Sequence, residues 1–306
     1  MHFVVTGGAG FIGNNIVKSL IHDGHDVSVI DNLNTGKLAN LELVKNKIKF
    51  FEIDIRDFDK VNEVIKETDG VFHQAALTVV QDSYVKRDEY FDVNVTGTEN
   101  IFRSAKENKV KVVYASSSSI YGNVSKIPIK EDFQRMPINP YGETKLQTEF
   151  LAEKFWKEEV EIIGLRYFNV YGKGQNRAYA GVITKFLDKI RNKEDLEIFG
   201  EGAQVRDFIF VEDVARANIS AMNSKVKNGF FNVGTGEKIS IKELGKMMID
   251  ISKSPLDLKY TTPLEGDVNL SQADIEFSKK LLEWESKKEL QNWLKDIFES
   301  DANHGK

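Results

Sequence analysis

The chain has 306 residues, 41% of them hydrophobic, and a formal net charge of -5 at pH 7. That balance removes any electrostatic case for nucleic acid, and the absence of cysteine removes disulfides, thiolate catalysis and cysteine-based zinc. The five histidines show no ligand spacing. No apolar run approaches the ~18 residues of a membrane span, and a strand beginning at residue 3 leaves no room for a signal peptide, so a cytoplasmic protein without metal is expected.

Short β-branched runs alternate with amphipathic stretches along the chain. The first run, Phe3–Thr6, feeds Gly7-Gly8-Ala9-Gly10-Phe11-Ile12-Gly13 and then a predicted helix over Phe11–His22. Further strands are predicted at Val27–Asp31, Ile48–Asp54, Gly70–His73, Val110–Ser116 and Val160–Leu165. Several are almost wholly apolar, as strands covered on both faces are. Between them, Val95, Thr98, Ile101, Phe102 and Ala105 keep helical spacing, as do Leu146, Phe150, Leu151 and Phe155. This alternation predicts a parallel sheet with right-handed crossovers. After about Tyr171 the pattern loosens. Helices are predicted over Val182–Lys193 and Lys242–Ser252, and an extended piece over Val205–Val211. The expected organisation is a domain over residues 1–170 and a smaller lobe over 171–306 packed against it, some of whose segments return to the first domain.

Three segments carry chemistry. Gly7, Gly10 and Gly13 between a strand and a helix allow backbone N–H groups and a helix N-terminus to approach a pyrophosphate. A tight strand–helix connection without ligand is the plainer reading of those glycines. Asp31 tips the balance, because it ends the second predicted strand, about 20 residues on, where a carboxylate takes the adenosine ribose. An acid there repels a 2′-phosphate, so NAD is expected over NADP. Next come Ser116-Ser117-Ser118-Ser119 at the end of the Val110–Ser116 run and Tyr141 with Lys145 in Pro140-Tyr141-Gly142-Glu143-Thr144-Lys145. A Tyr and a Lys four apart share a helix face. Alcohol oxidation needs a base at the hydroxyl. A free phenol with a pKa of about 10 is a weak base at neutral pH, and a neighbouring ammonium is expected to lower it. Serine hydroxyls would polarise the reacting oxygen. Singly, each feature has a plain reading: a helix-start aromatic, a solvated lysine, a polar loop. Jointly they describe a nicotinamide-dinucleotide enzyme whose acid/base is a tyrosine.

With these motifs the chain resembles the extended short-chain dehydrogenases/reductases, specifically the nucleotide-sugar epimerase/dehydratase family, and within it the UDP-hexose 4-epimerases. The resemblance rests on Thr6–Gly13, Asp31-Asn32-Leu33-Asn34, Asp54-Ile55, His73-Gln74-Ala75-Ala76, Asn94-Val95-Thr96-Gly97-Thr98, Tyr141–Lys145, Arg166–Asn169 and Arg206-Asp207-Phe208. It implies a Rossmann-type doubly wound parallel α/β sheet with a smaller C-terminal α/β substrate lobe. It also implies NAD held by Gly7, Gly10, Phe11, Ile12, Gly13, Asp31, Asn32 and Asn34. Asp54 and Ile55 are expected at the adenine, and Ala75, Ala76 and Asn94 along the cofactor channel. Tyr141 is implied as acid/base, Lys145 on the nicotinamide ribose, Ser117 as the catalytic serine with Ser118 as second choice, and Phe168 facing the nicotinamide. Thr78, Ser117, Ser118, Asn169, Arg206 and Ser271 are the expected substrate contacts, although Phe168 could be plain core and Arg206 could simply pair with Asp207.

Two departures bear on the reaction. Related dehydratases carry an Asp-Glu pair after the catalytic residue and decarboxylases keep the Glu, whereas this chain has Ser118 and Ser119. Neither supplies a second acid/base for elimination, which favours epimerisation at C4. Epimerases often show Arg-Pro-Gly-Asp near the C-terminus; here it is Leu264-Glu265-Gly266-Asp267, so Arg206, Lys173 or Arg177 must serve the diphosphate. Ser271, four residues beyond Asp267, falls where the family gates C2 substituents, and a small residue there admits N-acetyl groups. The expected activity is NAD-dependent 4-epimerisation of a UDP-sugar. A 4-keto reductase and a non-catalytic NAD-binding sensor are the rivals. A homodimer is expected through the helices starting near Asn94 and Tyr141, whose Phe102, Phe150 and Trp156 lie beyond one apolar stripe.

Overall fold

The computed structural model describes residues 1–175, 181–264 and 266–304. Six strands, β1 (His2–Thr6), β2 (Asp26–Ile30), β3 (Ile48–Phe51), β4 (Gly70–His73), β5 (Lys111–Ser117) and β6 (Ile162–Tyr167), alternate with helices α1 (Phe11–His22), α2 (Phe58–Ile65), α3 (Val80–Val85), α4 (Arg87–Phe91), α5 (Gly97–Asn108) and α6 (Pro140–Trp156). The second part contributes β7 (Asn169–Tyr171), α7 (Val182–Arg191), β8 (Leu196–Phe199), β9 (Val205–Arg206), β10 (Phe208–Phe210), α8 (Val211–Asn223), β11 (Gly229–Val233), β12 (Ile239–Ser240), α9 (Ile241–Ser252), β13 (Leu258–Thr261), α10 (Glu276–Leu282) and α11 (Leu290–His304).

Seven strands form one parallel sheet in the order β11-β6-β5-β4-β1-β2-β3. The order reverses between β1 and β4, which opens a crevice at the strands' carboxyl ends. All four residues of β4 and all six of β6 are buried, as two-sided coverage requires. On one face, Ile16, Val17 and Leu20 of α1 meet Val214, Ala217 and Ala221 of α8. On the other, Val61 of α2, Ile101 and Phe102 of α5 and Phe155 of α6 close the core. A separate cluster built from α7, β8, α9 and α11, with Phe186, Ile198, Leu244 and Trp293 at its centre, is the core of the second lobe. Strand β11 joins the main sheet and α8 packs on its face against α1, between segments that build the separate cluster.

Several expected boundaries shift. The strand expected over Ile48–Asp54 stops at Phe51, because its neighbour ends where Ile30 pairs with Phe51 and residues beyond have nothing to pair with. The expected extended piece Val205–Val211 is two strands: Arg206 pairs antiparallel with Ile239, and Phe208–Phe210 pairs parallel with Asn169–Tyr171. Phe102 and Trp156 are not a surface face. Phe102 is fully buried edge-on against Tyr114 and Phe155, and Trp156 packs on Phe230. Only Phe150 of the three is exposed, with the Arg135 guanidinium 5.0 Å from its ring centroid. Helical periodicity counts apolar positions but does not say how deep a sheet-covering helix sits.

Candidate active site

The crevice holds a cavity of about 890 Å³ that runs from the glycine turn to the second lobe. Its floor begins at Gly7, whose φ of +66° and contact with Ala75 N, 2.7 Å from where a Cβ would sit, admit no side chain. At Gly13 a Cβ would stand 2.1 Å from Gly7 O, so α1 can lie against the turn only without one. Gly10 caps α1 without a side-chain acceptor for the first-turn amides. An uncapped helix start facing a cavity fits an anion such as a pyrophosphate. Phe11, Ile12 and Gly13 line the cavity at that point.

Asp31 follows β2 and also lines the cavity. Its carboxylate accepts from Ala9 N at 2.9 Å and Leu33 N at 2.8 Å, while burial pushes its pKa up. Asn32 donates to Asp54 at 3.0 Å, and Arg56 grips the same carboxylate at 2.8–2.9 Å, holding the Asp54 pKa down to about 2. With Asn34 and Ile55 these residues form one end of the cavity. Ala75, Ala76 and Thr78 form its wall after β4. Asn94 does not line it. It sits behind that wall in a π-helical turn, Asp92–Thr96, exchanging hydrogen bonds with Leu77 N and O at 2.8 and 2.9 Å and donating to Thr144 Oγ1 at 3.0 Å. Asn94 therefore ties the wall to α6.

Tyr141 and Lys145 project into the cavity from the first turns of α6, which starts at an Asn139 cap with Pro140 at its first position. Tyr141 and Ser117 line the same cavity, and the Ser117 side chain favours the phenolate form of Tyr141. Lys145 donates to Ala115 O at 2.8 Å, and its Nζ lies 5.9 Å from the Tyr141 ring centroid. The expected lowering of the phenol pKa by this lysine is not what the protein's own groups produce. Burial pushes the phenol up and only the Ser117 side chain pulls it down. The lysine is directed at the end of β5, and its own burial holds its ammonium down to about 8. Ser117 lines the cavity; Ser118 does not.

At the far end lie Phe168, Asn169, Arg206, Leu264 and Asp267. Phe168 is both core and wall, packed with Ile120 and Ile129. Arg206 does not pair with Asp207. It pairs with Asp267 and donates to Val205 O at 2.8 Å. The Asp207 carboxylate is consumed by Thr235 N, Thr235 Oγ1, Gly236 N and Ala273 N at 2.7–3.1 Å. Asn169 N and Nδ2 both donate to Asp207 O, at 3.0 and 3.2 Å, so Asn169 is anchored one residue along from Arg206. Lys173 is exposed and off the cavity wall, and Arg177 lies outside the described residues. Ser271 is buried, its N donating to Val205 O at 3.1 Å, and is not on the cavity wall.

Sequence reasoning passed over Ser119, whose amide and hydroxyl both reach Ser117 Oγ. It also passed over Glu149, which is fully buried one turn beyond Lys145 and accepts from Ser116, Arg166 and Arg135. The spacing of Tyr141, Lys145 and Glu149 along one helical face was the available signal for the second.

Among the described residues no group of three or more acids or histidines is placed to hold a metal, and no helix is long and apolar enough to cross a membrane. A protein of Methanocaldococcus jannaschii provisionally named a UDP-glucose 4-epimerase is 38% identical over 96% of this chain and 98% of its own. A UDP-N-acetyl-alpha-D-glucosaminuronate decarboxylase of Bacillus cytotoxicus is 34% identical over 82% of this chain and 80% of its own. Among solved structures, a UDP-glucose 4-epimerase of Thermotoga maritima with UDP-glucose superposes with a TM-score of 0.94, at 34% identity and 100% coverage of both chains. The profile of the NAD dependent epimerase/dehydratase family matches residues 3–234, the span carrying the glycine turn, the serine run, the tyrosine–lysine pair and Arg206, and the chain belongs to that family.

Proposed function

We propose that this protein is an NAD-dependent nucleotide-sugar 4-epimerase that interconverts UDP-glucose and UDP-galactose. The observation that carries the reading is the convergence of Ser117, Tyr141 and Lys145 on one cavity continuous with the glycine turn, beside a serine run that holds no carboxylate. Gly7, Gly10, Phe11 and Ile12 would hold the NAD pyrophosphate and Asp31 its adenosine ribose, with Lys145 at the nicotinamide ribose. When bound there, NAD supplies the acceptor and then the donor of the C4 hydride, so no net redox change results.

The chain's own groups do the remainder. Tyr141 takes the proton of the C4 hydroxyl and later returns it. Ser117 donates toward the phenolate and the reacting oxygen. Lys145, anchored to Ala115 O on the same cavity, remains protonated below its pKa of about 8 and would orient the nicotinamide ribose. Arg206 and Asn169 hold the diphosphate while the 4-keto sugar turns over. Ser118 and Ser119 carry no acid to expel a C6 hydroxyl or assist loss of carbon dioxide, which separates this reading from the dehydratase and decarboxylase branches.

The decisive experiment is incubation with UDP-galactose, UDP-GalNAc and UDP-glucuronate without added reductant, followed by NMR. UDP-glucose should form from UDP-galactose to an equilibrium mixture. Loss of water, loss of carbon dioxide, or a requirement for added NADH would overturn the assignment. We further propose acceptance of the N-acetylated pair, a cytoplasmic location and a homodimer through α5 and α6, whose only large exposed aromatic among the described residues is Phe150. Sedimentation of a monomer at micromolar concentration would remove the dimer.

A further inference from the structure

The Ser117 hydroxyl has one proton to give and two lone pairs to fill. Both lone pairs are taken by a single neighbour. Ser119 N donates to Ser117 Oγ at 3.2 Å, and Ser119 Oγ donates to it at 2.9 Å. The contacts arise from a short helical turn, Ser118–Tyr121, capped by Ser117 itself. That turn is pinned from behind: Gly122 N donates to Ser119 O at 3.3 Å, and Gly142 of α6 packs so closely that a Cβ there would lie 2.9 Å from Ser119 O. Ser119 is not on the cavity wall and needs no contact with substrate.

We propose that Ser119 is a positioning residue for the reaction, which fills the acceptor capacity of Ser117 and so commits the Ser117 proton to Tyr141 and the reacting oxygen. The proposal rests on the reading of Tyr141 and Ser117 given above and deepens it. A serine free to accept as well as donate would solvate phenol and phenolate about equally. A serine fixed as a donor favours phenolate, the form that acts as a base.

Groups facing the phenol are Lys145 on its own helix, Tyr90 from α4 and Tyr167 from β6, with His73 on β4 facing Lys145. Replacing Ser119 alters none of them. The test is the pH profile of kcat/KM for UDP-galactose epimerisation in Ser119→Ala, Ser119→Thr, Ser117→Ala and the Ser117→Ala/Ser119→Ala double variant, with bound NAD content as the folding check. Ser119→Ala should lower kcat roughly 3- to 10-fold, as loss of one hydrogen bond allows, and should move the acidic limb to higher pH. Ser119→Thr should restore both. The double variant should be no slower than Ser117→Ala alone, because Ser119 acts only through Ser117. If Ser119→Ala binds no NAD, Ser119→Cys, similar in size but a weak donor, should still show the shifted limb. A normal limb in every variant, or a further loss in the double variant, overturns the assignment of Ser119. Full activity of Ser117→Ala and Tyr141→Phe would instead overturn the underlying reading.

Discussion

Two stretches of the same helix handle buried polar groups in opposite ways. In the first turns of α6, Lys145 is 5% exposed yet, among the described residues, has one hydrogen-bond acceptor, Ala115 O, and no carboxylate partner. Its pKa falls to about 8, and burial pushes Tyr141 the other way. One turn on, Glu149 is fully buried and saturated: Arg166 takes both its oxygens at 2.8 Å, Ser116 donates at 2.7 Å and Arg135 at 3.1 Å. Arg166 in turn donates to the Tyr121 hydroxyl at 2.7 Å and Glu131 O at 2.8 Å. The lesson is that burial alone does not distinguish catalytic from structural groups; the completeness of their pairing does. The paired end fixes α6 to β5 and β6, and the under-paired end keeps its protons available.

The comparison breaks first if the two ends respond alike to substitution. Tyr141→Phe should lower kcat by ~10²–10⁴-fold while leaving thermal stability and NAD content near those of the unmodified protein. Glu149→Ala should do the reverse. Stranding Arg166 in the core should cost about 3–5 kcal/mol of unfolding free energy in a denaturant titration, with a much smaller change in kcat for the protein that remains folded. A Tyr141→Phe protein that is chiefly unstable, or a Glu149→Ala protein that is stable but inactive, would contradict the division.

Lys145 sharpens the comparison through pH. Its folded pKa of about 8 lies below the ordinary 10.5. Between those values the unfolded chain holds a proton that the folded chain has released, so this lysine makes stability rise with pH across that window. Below pH 8 the folded state carries the unfavourable charge. Lys145→Met should therefore stabilise the cofactor-free protein at pH 7, on the order of 1–3 kcal/mol, and weaken NAD binding measured by fluorescence titration. Loss of stability on removing Lys145 would mean that the group is structural after all.

Asp31 is the intermediate case and the smallest effect. It is nearly buried and bonded to two amides, yet it lines the cavity. Asp31→Ala should cost about 1–2 kcal/mol of stability and also erode the preference for NAD over NADP. An unchanged preference would leave Asp31 as a turn-former only.

The glycine-turn end of the cavity was legible in the sequence because its shape is set by local backbone needs. Gly7 and Gly13 are required by sterics within one turn, and the strand ending near Asp31 follows from apolar runs of fixed length. The far end was less legible because its contacts join distant segments. Arg206 finds Asp267 and not its neighbour Asp207. Ser271 follows the Val205–Leu270 bridge, is buried, and is not on the cavity wall. Ser119 was hidden in a run of four like residues, where only the curl of the Ser118–Tyr121 turn decides which hydroxyl meets which. Leu264 does lie on the cavity wall, as its place in Leu264–Asp267 suggested.

The central claim is that one site oxidises and re-reduces the same C4 carbon while Tyr141 exchanges the proton. UDP-galactose carrying deuterium at C4 tests it most directly, incubated with the NAD-loaded protein in ordinary water and read by NMR and mass spectrometry. UDP-glucose should retain the deuterium at C4 and should form ~10²–10⁴-fold more slowly in the Tyr141→Phe variant. Product carrying solvent hydrogen at C4, or a stable oxidised sugar accumulating in its place, would contradict it.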